Sequence, residues 1–144
     1  MKNCTIAISL CATMGPCLAN GKFTGGSMYN KDNVFYKILR GEIPSKRVYE
    51  DDVAVAFYDI EPCCRIHVLV ISRGLYTNFA DFVAQAPGHE IKSFFTAVAH
   101  VADILGVKDS GHRLLMNSGP DAGQEVEHFH VHILGGEPLG KKLK

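Results

Sequence analysis

From Asn33 onward the apolar residues recur with periods that switch between helix and strand. Val34, Phe35, Ile38 and Leu39 fall on one side of a short helix, which Asp32 is expected to cap and Gly41 to end. Three stretches rich in β-branched and aromatic residues follow at 46–50, 53–58 and 66–71, and each reads as a strand. Asp51-Asp52 is the expected turn of a hairpin between the first two, and residues 61–65, with Pro62, separate the next pair. A longer helix is predicted over 88–105, because Ile91, Phe94, Phe95, Val98, Val101, Ala102 and Leu105 share one helical face and Gly106 stops it. Two more strands are expected at 112–116 and 128–134. Three strands, a long helix and two strands predict an α+β fold, a five-stranded antiparallel sheet with the long helix packed on one face.

The first thirty residues follow neither period. Residues 4–18 are apolar and small, preceded by Lys2 and followed by a glycine-rich stretch at 20–27. Gly15 and Pro16 interrupt the run, which is too short for a spanning helix of about 20 residues. A secretory leader also begins with a basic residue and an apolar region, but the Gly15-Pro16 break and the single lysine favour an N-terminal extension or an upstream start. The chain is therefore read as an extension, 1–29, and one domain, 30–144.

Length and charge narrow the ligand. The chain of 144 residues suits one domain, and its 15 basic residues balance 15 acidic ones. A balanced chain has no overall field to hold nucleic acid or an anionic membrane, so neither is expected as a partner. A phosphate would have to be held by local geometry, which favours a small molecule. The five cysteines, Cys4, Cys11, Cys17, Cys63 and Cys64, have no regular spacing and form no CxxC pair. They read as reduced thiols of a cytoplasmic protein.

Candidate chemistry concentrates in one strand. His128, His130 and His132 alternate with Phe129, Val131 and Ile133, so strand geometry puts the three imidazoles on one face. Burying three imidazoles without partners is costly, so something polar belongs there. A zinc site, a nucleotide-binding module without turnover, and nucleophilic catalysis on a phosphate all fit such a face. The preceding segment, 117–124, is built of glycines and small polar residues. Gly119 and Gly123 allow close backbone approach, and N–H groups in such a loop can form an anion cradle. A cradle beside an imidazole nucleophile suits phosphoryl transfer.

The run His128-Phe-His-Val-His-Ile-Leu134 resembles the alternating signature of the histidine triad (HIT) family, in its nucleotide-binding branch. Asp32 to Pro44, Phe57 to Pro62, Ile66 to Ile71 and Gly135-Gly136 are similar as well, so the likeness spans about residues 30–136. It implies a HIT-like fold with one long and one short helix, the sheets of two chains joined in a homodimer. The long helix would lie at the interface, with Phe94, Phe95, Val98 and Ala102 divided between core and partner.

The resemblance also implies roles. His130 would attack the α-phosphorus of a purine nucleoside phosphoramidate or related conjugate, forming a nucleotidyl-histidine that water releases as the mononucleotide. Its other ring nitrogen would be held by a backbone carbonyl or by His128. His132 would contact phosphate oxygens and the bridging atom, and His67 would back the triad. No metal or cofactor is called for. Asn117, Gly123, Gln124, Glu125 and Val126 correspond to the phosphate loop, and Asp59 to the carboxylate on the ribose. Phe35, Phe57 and Ile60 correspond to the purine pocket, with Ile38 and Leu69 beside them. Glu125 departs from the family, since it stands where a hydroxyl residue is usual and an ionised carboxylate cannot donate to phosphate. That shifts the expected load to the Val126 N–H. Ser72 and Cys63-Cys64 also depart, at positions expected to stay clear of the histidines. His89, His100 and His112 show no partner pattern.

Overall fold

The computed structural model describes residues 28–141; the apolar 4–18 stretch and most of the expected extension lie outside them. Helix α1 (Val34–Leu39) leads into β1 (Arg47–Glu50), β2 (Ala54–Tyr58) and β3 (Ile66–Ser72). Helices α2 (Phe79–Gln85) and α3 (Gly88–Ile104) follow, then β4 (His112–Leu115) and β5 (His130–Gly135). The five strands form one antiparallel sheet in the order β1-β2-β3-β5-β4. Among the described residues no helix is long and apolar enough to cross a membrane.

Alternation along the strands sorts the sheet into two faces. Ala54, Ala56, Val68, Val70, Val131 and Ile133 point to the side covered by α2 and α3, where they meet Phe82, Phe94, Val98 and Val101. Val55, Phe57, Leu69 and Ile71 point the other way and are covered by Phe35 and Ile38 of α1. Register decides what stands beside the histidines. Val55 pairs with Ile71 and Ile71 with His130, while Phe57 pairs with Leu69 and Leu69 with His132. One cross-strand row thus ends on His130 and the other runs through His132 to Leu115 of β4, both at the edge of the apolar cluster beneath α1.

Three local expectations are corrected. Asn33, not Asp32, caps α1: its side chain accepts from the Tyr36 N–H at 2.9 Å. Among the described residues there are three α-helices rather than two, because α2 lies within a stretch whose pattern predicts no element. Its sequence shows little period because only Phe82 is buried, stacked on Phe129 with ring centroids 4.3 Å apart. Strand β5 begins at His130, since His128 donates its N–H to Val126 O at 2.8 Å in a tight turn and leaves the ladder. Phe94, Val98 and Ala102 are buried in this chain's own core, and Phe95 is half-buried against it.

Candidate active site

The four histidines converge although only two of them share β5. His130 and His132 have ring centroids 5.0 Å apart, and His67 on β3 lies 5.2 Å from His132. His128 precedes the strand, yet its ring is fully buried on the α1 side, 6.1 Å from Phe35. Phe35 also meets the His130 ring edge-on at 5.1 Å.

Hydrogen bonds assign the protons. His130 Nδ1 lies 2.6 Å from the His128 carbonyl oxygen, which can only accept. Nδ1 therefore carries the proton, and Nε2 of neutral His130 keeps its lone pair free. The Cys63 N–H donates to His67 Nδ1 at 3.2 Å, so His67 is protonated on Nε2. That N–H lies 2.9 Å from His132 Nδ1 and 3.3 Å from Asp59 Oδ2. With Nδ1 accepting, His132 is protonated on Nε2, which is buried and has no partner among the described residues. One imidazole thus presents a bare nitrogen and its neighbour an unused N–H.

Burial keeps these rings neutral. It lowers His128 and His132 to about 4 and also depresses His130 and His67. The His128 carbonyl and the Asp59 charge oppose the shift at His130, and Asp59 opposes it at His67, but desolvation prevails. At neutral pH the arrangement offers a neutral imidazole with a free nitrogen and N–H donors, not a cationic patch.

The loop before β5 is pinned from within. A short 3-10 turn, Pro120–Ala122, lies between Gly119 (φ 80°) and Gly123 (φ 69°), values that L side chains rarely adopt. Gln124 uses its side chain as a latch. Its Oε1 accepts from the Gly119 N–H at 2.9 Å, and its Nε2 donates to Thr77 O at 2.7 Å and Val126 O at 3.0 Å. The N–H groups of Glu125 and Val126 take no part in the loop's own hydrogen bonds. The Glu125 side chain is exposed, Val126 packs against the α1-side cluster, and Asn117 is half-buried at the start of the loop.

The remaining expected residues are placed unevenly. Phe35, Ile38, Phe57 and Leu69 form one buried cluster, whereas Ile60 is 95% exposed and stands apart from it. Asp59 has two uses: Oδ1 accepts from the Glu61 N–H at 2.8 Å to close the turn, and Oδ2 faces His67. His89, His100 and His112 lie elsewhere, with His100 against Tyr49 and His112 Nδ1 bonded to Val107 O. Asp59, His67 and His132 bring ligand-type atoms within 4.8 Å of one another and could hold a cation.

Two positions expected to stay clear of the histidines touch them. His128 Nε2 donates to Ser72 O at 2.7 Å, with Ser72 Oγ at 3.3 Å, and the Cys63 N–H sets the His67 tautomer. Main-chain atoms make the closest of these contacts, so residue type offered no signal. Tyr29 was also missed: its hydroxyl bonds His128 Nδ1 across 99 residues of sequence.

A glycine-bearing loop running into a strand of buried, neutral imidazoles, on an antiparallel sheet backed by helices, is a histidine triad architecture. Sequence comparison agrees, since residues 40–139 match the HIT domain. The chain belongs to the histidine triad family. It is 48% identical over 115 residues to an uncharacterised 13.2 kDa HIT-like protein of Azospirillum brasilense, covering 80% of this chain and 94% of that one. It is 42% identical over 115 residues to the purine nucleoside phosphoramidase of Escherichia coli K12, covering 78% and 94%. Among solved structures, a histidine triad protein from Clostridium difficile superposes with a TM-score of 0.71 at 37% identity, over 81% of this chain and all of that one.

Proposed function

We propose that this chain is a purine nucleoside phosphoramidase that works through a nucleotidyl-histidine at His130. The observation that carries the reading is the 2.6 Å bond from His130 Nδ1 to the His128 carbonyl, which leaves Nε2 as a neutral nucleophile. Nε2 forms a bond to the α-phosphorus as the phosphorus–nitrogen bond breaks. The electron pair leaves on the amine, which takes up a proton. Water then attacks the same phosphorus, releases the mononucleotide and restores His130. The buried, unused His132 Nε2–H suits a hydrogen bond to a phosphoryl oxygen or the bridging nitrogen. The Glu125 and Val126 N–H groups, free of the loop's own bonds, suit the other oxygens. Asp59 is suited to the ribose hydroxyls, and the Phe35, Ile38, Phe57 and Leu69 cluster to the apolar side of the base. The 42% identity to the E. coli phosphoramidase supports the substrate class.

The deciding experiment is a rapid quench with an adenosine phosphoramidate, read by intact mass. A nucleotidyl adduct is expected in the unmodified protein and none in His130→Ala, with turnover in the variant reduced by at least about a thousandfold. Full turnover by His130→Ala would sink the mechanism. A zinc reading draws on the Asp59, His67 and His132 cluster, and predicts stoichiometric zinc and loss of activity on chelation. The 2.9 Å contact between His67 and His132 is instead that of a hydrogen bond, so activity is expected to survive chelator.

We also propose a homodimer. Strand β4 is a sheet edge carrying Leu114, 44% exposed, with Met116 just beyond it and Ile104 exposed at the end of α3. An uncovered edge with apolar side chains favours pairing with a second copy.

A further inference from the structure

Asn33, Tyr29, His128 and Ser72 form a continuous hydrogen-bonded chain that starts at the cap of α1 and ends behind the proposed nucleophile. Its directions follow from one atom. Ser72 O is a carbonyl oxygen and can only accept, so the 2.7 Å contact puts the His128 proton on Nε2. His128 Nδ1 must then accept, and the Tyr29 hydroxyl, bonded to it, must donate. With its hydrogen committed, the Tyr29 oxygen accepts from Asn33 Nδ2 at 2.8 Å. Asn33 can supply that hydrogen because its Oδ1 is already spent on the Tyr36 N–H. Both ends of one amide are therefore used, the oxygen to start α1 and the nitrogen to orient a tyrosine while also donating to Asn30 O at 2.6 Å.

The chain reaches the reacting group through the backbone. His128 is fully buried, and the ring bonds on both of its nitrogens hold the residue whose carbonyl receives the His130 Nδ1 proton. Tyr29 also packs edge-on to His128 at 5.6 Å and to Tyr36 at 6.0 Å, which braces the hydroxyl. Residue 29 precedes the stretch that matches the HIT domain.

We propose that Tyr29, oriented by Asn33, is a positioning residue for His130. Together with Ser72 O it holds the tautomer and seat of His128, and through the His128 carbonyl it keeps the His130 proton on Nδ1 and the lone pair on Nε2. This rests on His130 being the nucleophile.

Two variants test it. Tyr29→Phe keeps the ring and removes the hydroxyl. Asn33→Asp keeps the cap, since a carboxylate also accepts from the Tyr36 N–H, but it cannot donate to Tyr29 and competes with His128 for the hydroxyl hydrogen. Each is expected to lower kcat about tenfold, the rate equivalent of one hydrogen bond, with KM within about twofold. The double variant should lose no more than about the worse single one, because the two residues act as a unit. Asn33→Asp also loses the bond to Asn30 O, so its melting temperature should fall slightly while the protein stays folded at the assay temperature.

Histidine ring nitrogen spectra supply a readout that does not depend on turnover. His130 should be a single Nδ1–H tautomer in the unmodified protein and a mixture in both variants. Unmodified kcat in both variants overturns the proposal, as does a loss of kcat with the His130 spectrum unchanged. If the unmodified protein yields no nucleotidyl adduct, the phosphoramidase reading fails, and the ring spectra alone then decide whether Tyr29 positions His130.

Discussion

Each of the four site histidines is made usable by what burial denies it. An exposed imidazole is partly protonated near neutrality, whereas these are kept neutral by desolvation, with His128 and His132 lowered to about 4. The same shift links stability to pH. Between about pH 4 and the unperturbed value near 6.5, the unfolded chain binds protons at His128 and His132 and the folded chain does not. Folding free energy therefore rises with pH across that window and is fully present above it. For fully buried His128, protonation in place costs on the order of 3 kcal/mol. Urea midpoints measured from pH 7.5 down to 4.5 should fall steadily, and His128→Gln should flatten the slope. A midpoint independent of pH would contradict neutral burial of these rings. At this scale the sequence was legible where side-chain type carries the message, as in His130 beside His132. It was silent where a main-chain atom acts, as with Ser72 O and the Cys63 N–H.

At the scale of elements, the loop from Asn117 to Glu127 and strand β5 operate as one piece. Gly119 and Gly123 let the chain fold back, and Gln124 ties the fold-back to Thr77, just before α2. An alanine at Gly123 would meet no atom within 4 Å, so its cost is backbone strain alone, about 1–2 kcal/mol at φ 69°. Gly123→Ala should lower the melting temperature modestly and raise KM for the nucleotide substrate several-fold, since the Glu125 and Val126 N–H groups lie just downstream. An unchanged KM would separate the loop from phosphate binding. Helix α3 was readable because a long amphipathic stretch repeats its period several times. Helix α2, seven residues with only Phe82 buried, repeats nothing, and its place is set by the Phe82–Phe129 stack.

For the whole molecule, the sheet order leaves β4 at an edge, and Phe94, Val98 and Val101 of α3 turn into the chain's own core. The proposed homodimer would pair at the β4 edge, where Leu114, Met116 and Ile104 are exposed. Leu114→Arg should shift the protein from dimer to monomer in sedimentation velocity while leaving the monomer's circular dichroism intact. A dimer that survives the substitution would move the interface elsewhere.

The sequence by itself determined the α+β class, the five strands and the long helix, because those rest on periodicity and on turn residues that act locally. It also singled out the alternating histidines and the glycine loop ahead of them. Tertiary structure alone decided which imidazole holds a free nitrogen, which N–H lies unused, and that Tyr29 and Ser72 grip His128 from distant parts of the chain. Tautomers follow from the nearest acceptor or donor, and here these partners come from other strands and from main-chain atoms, which no residue-by-residue pattern can reveal.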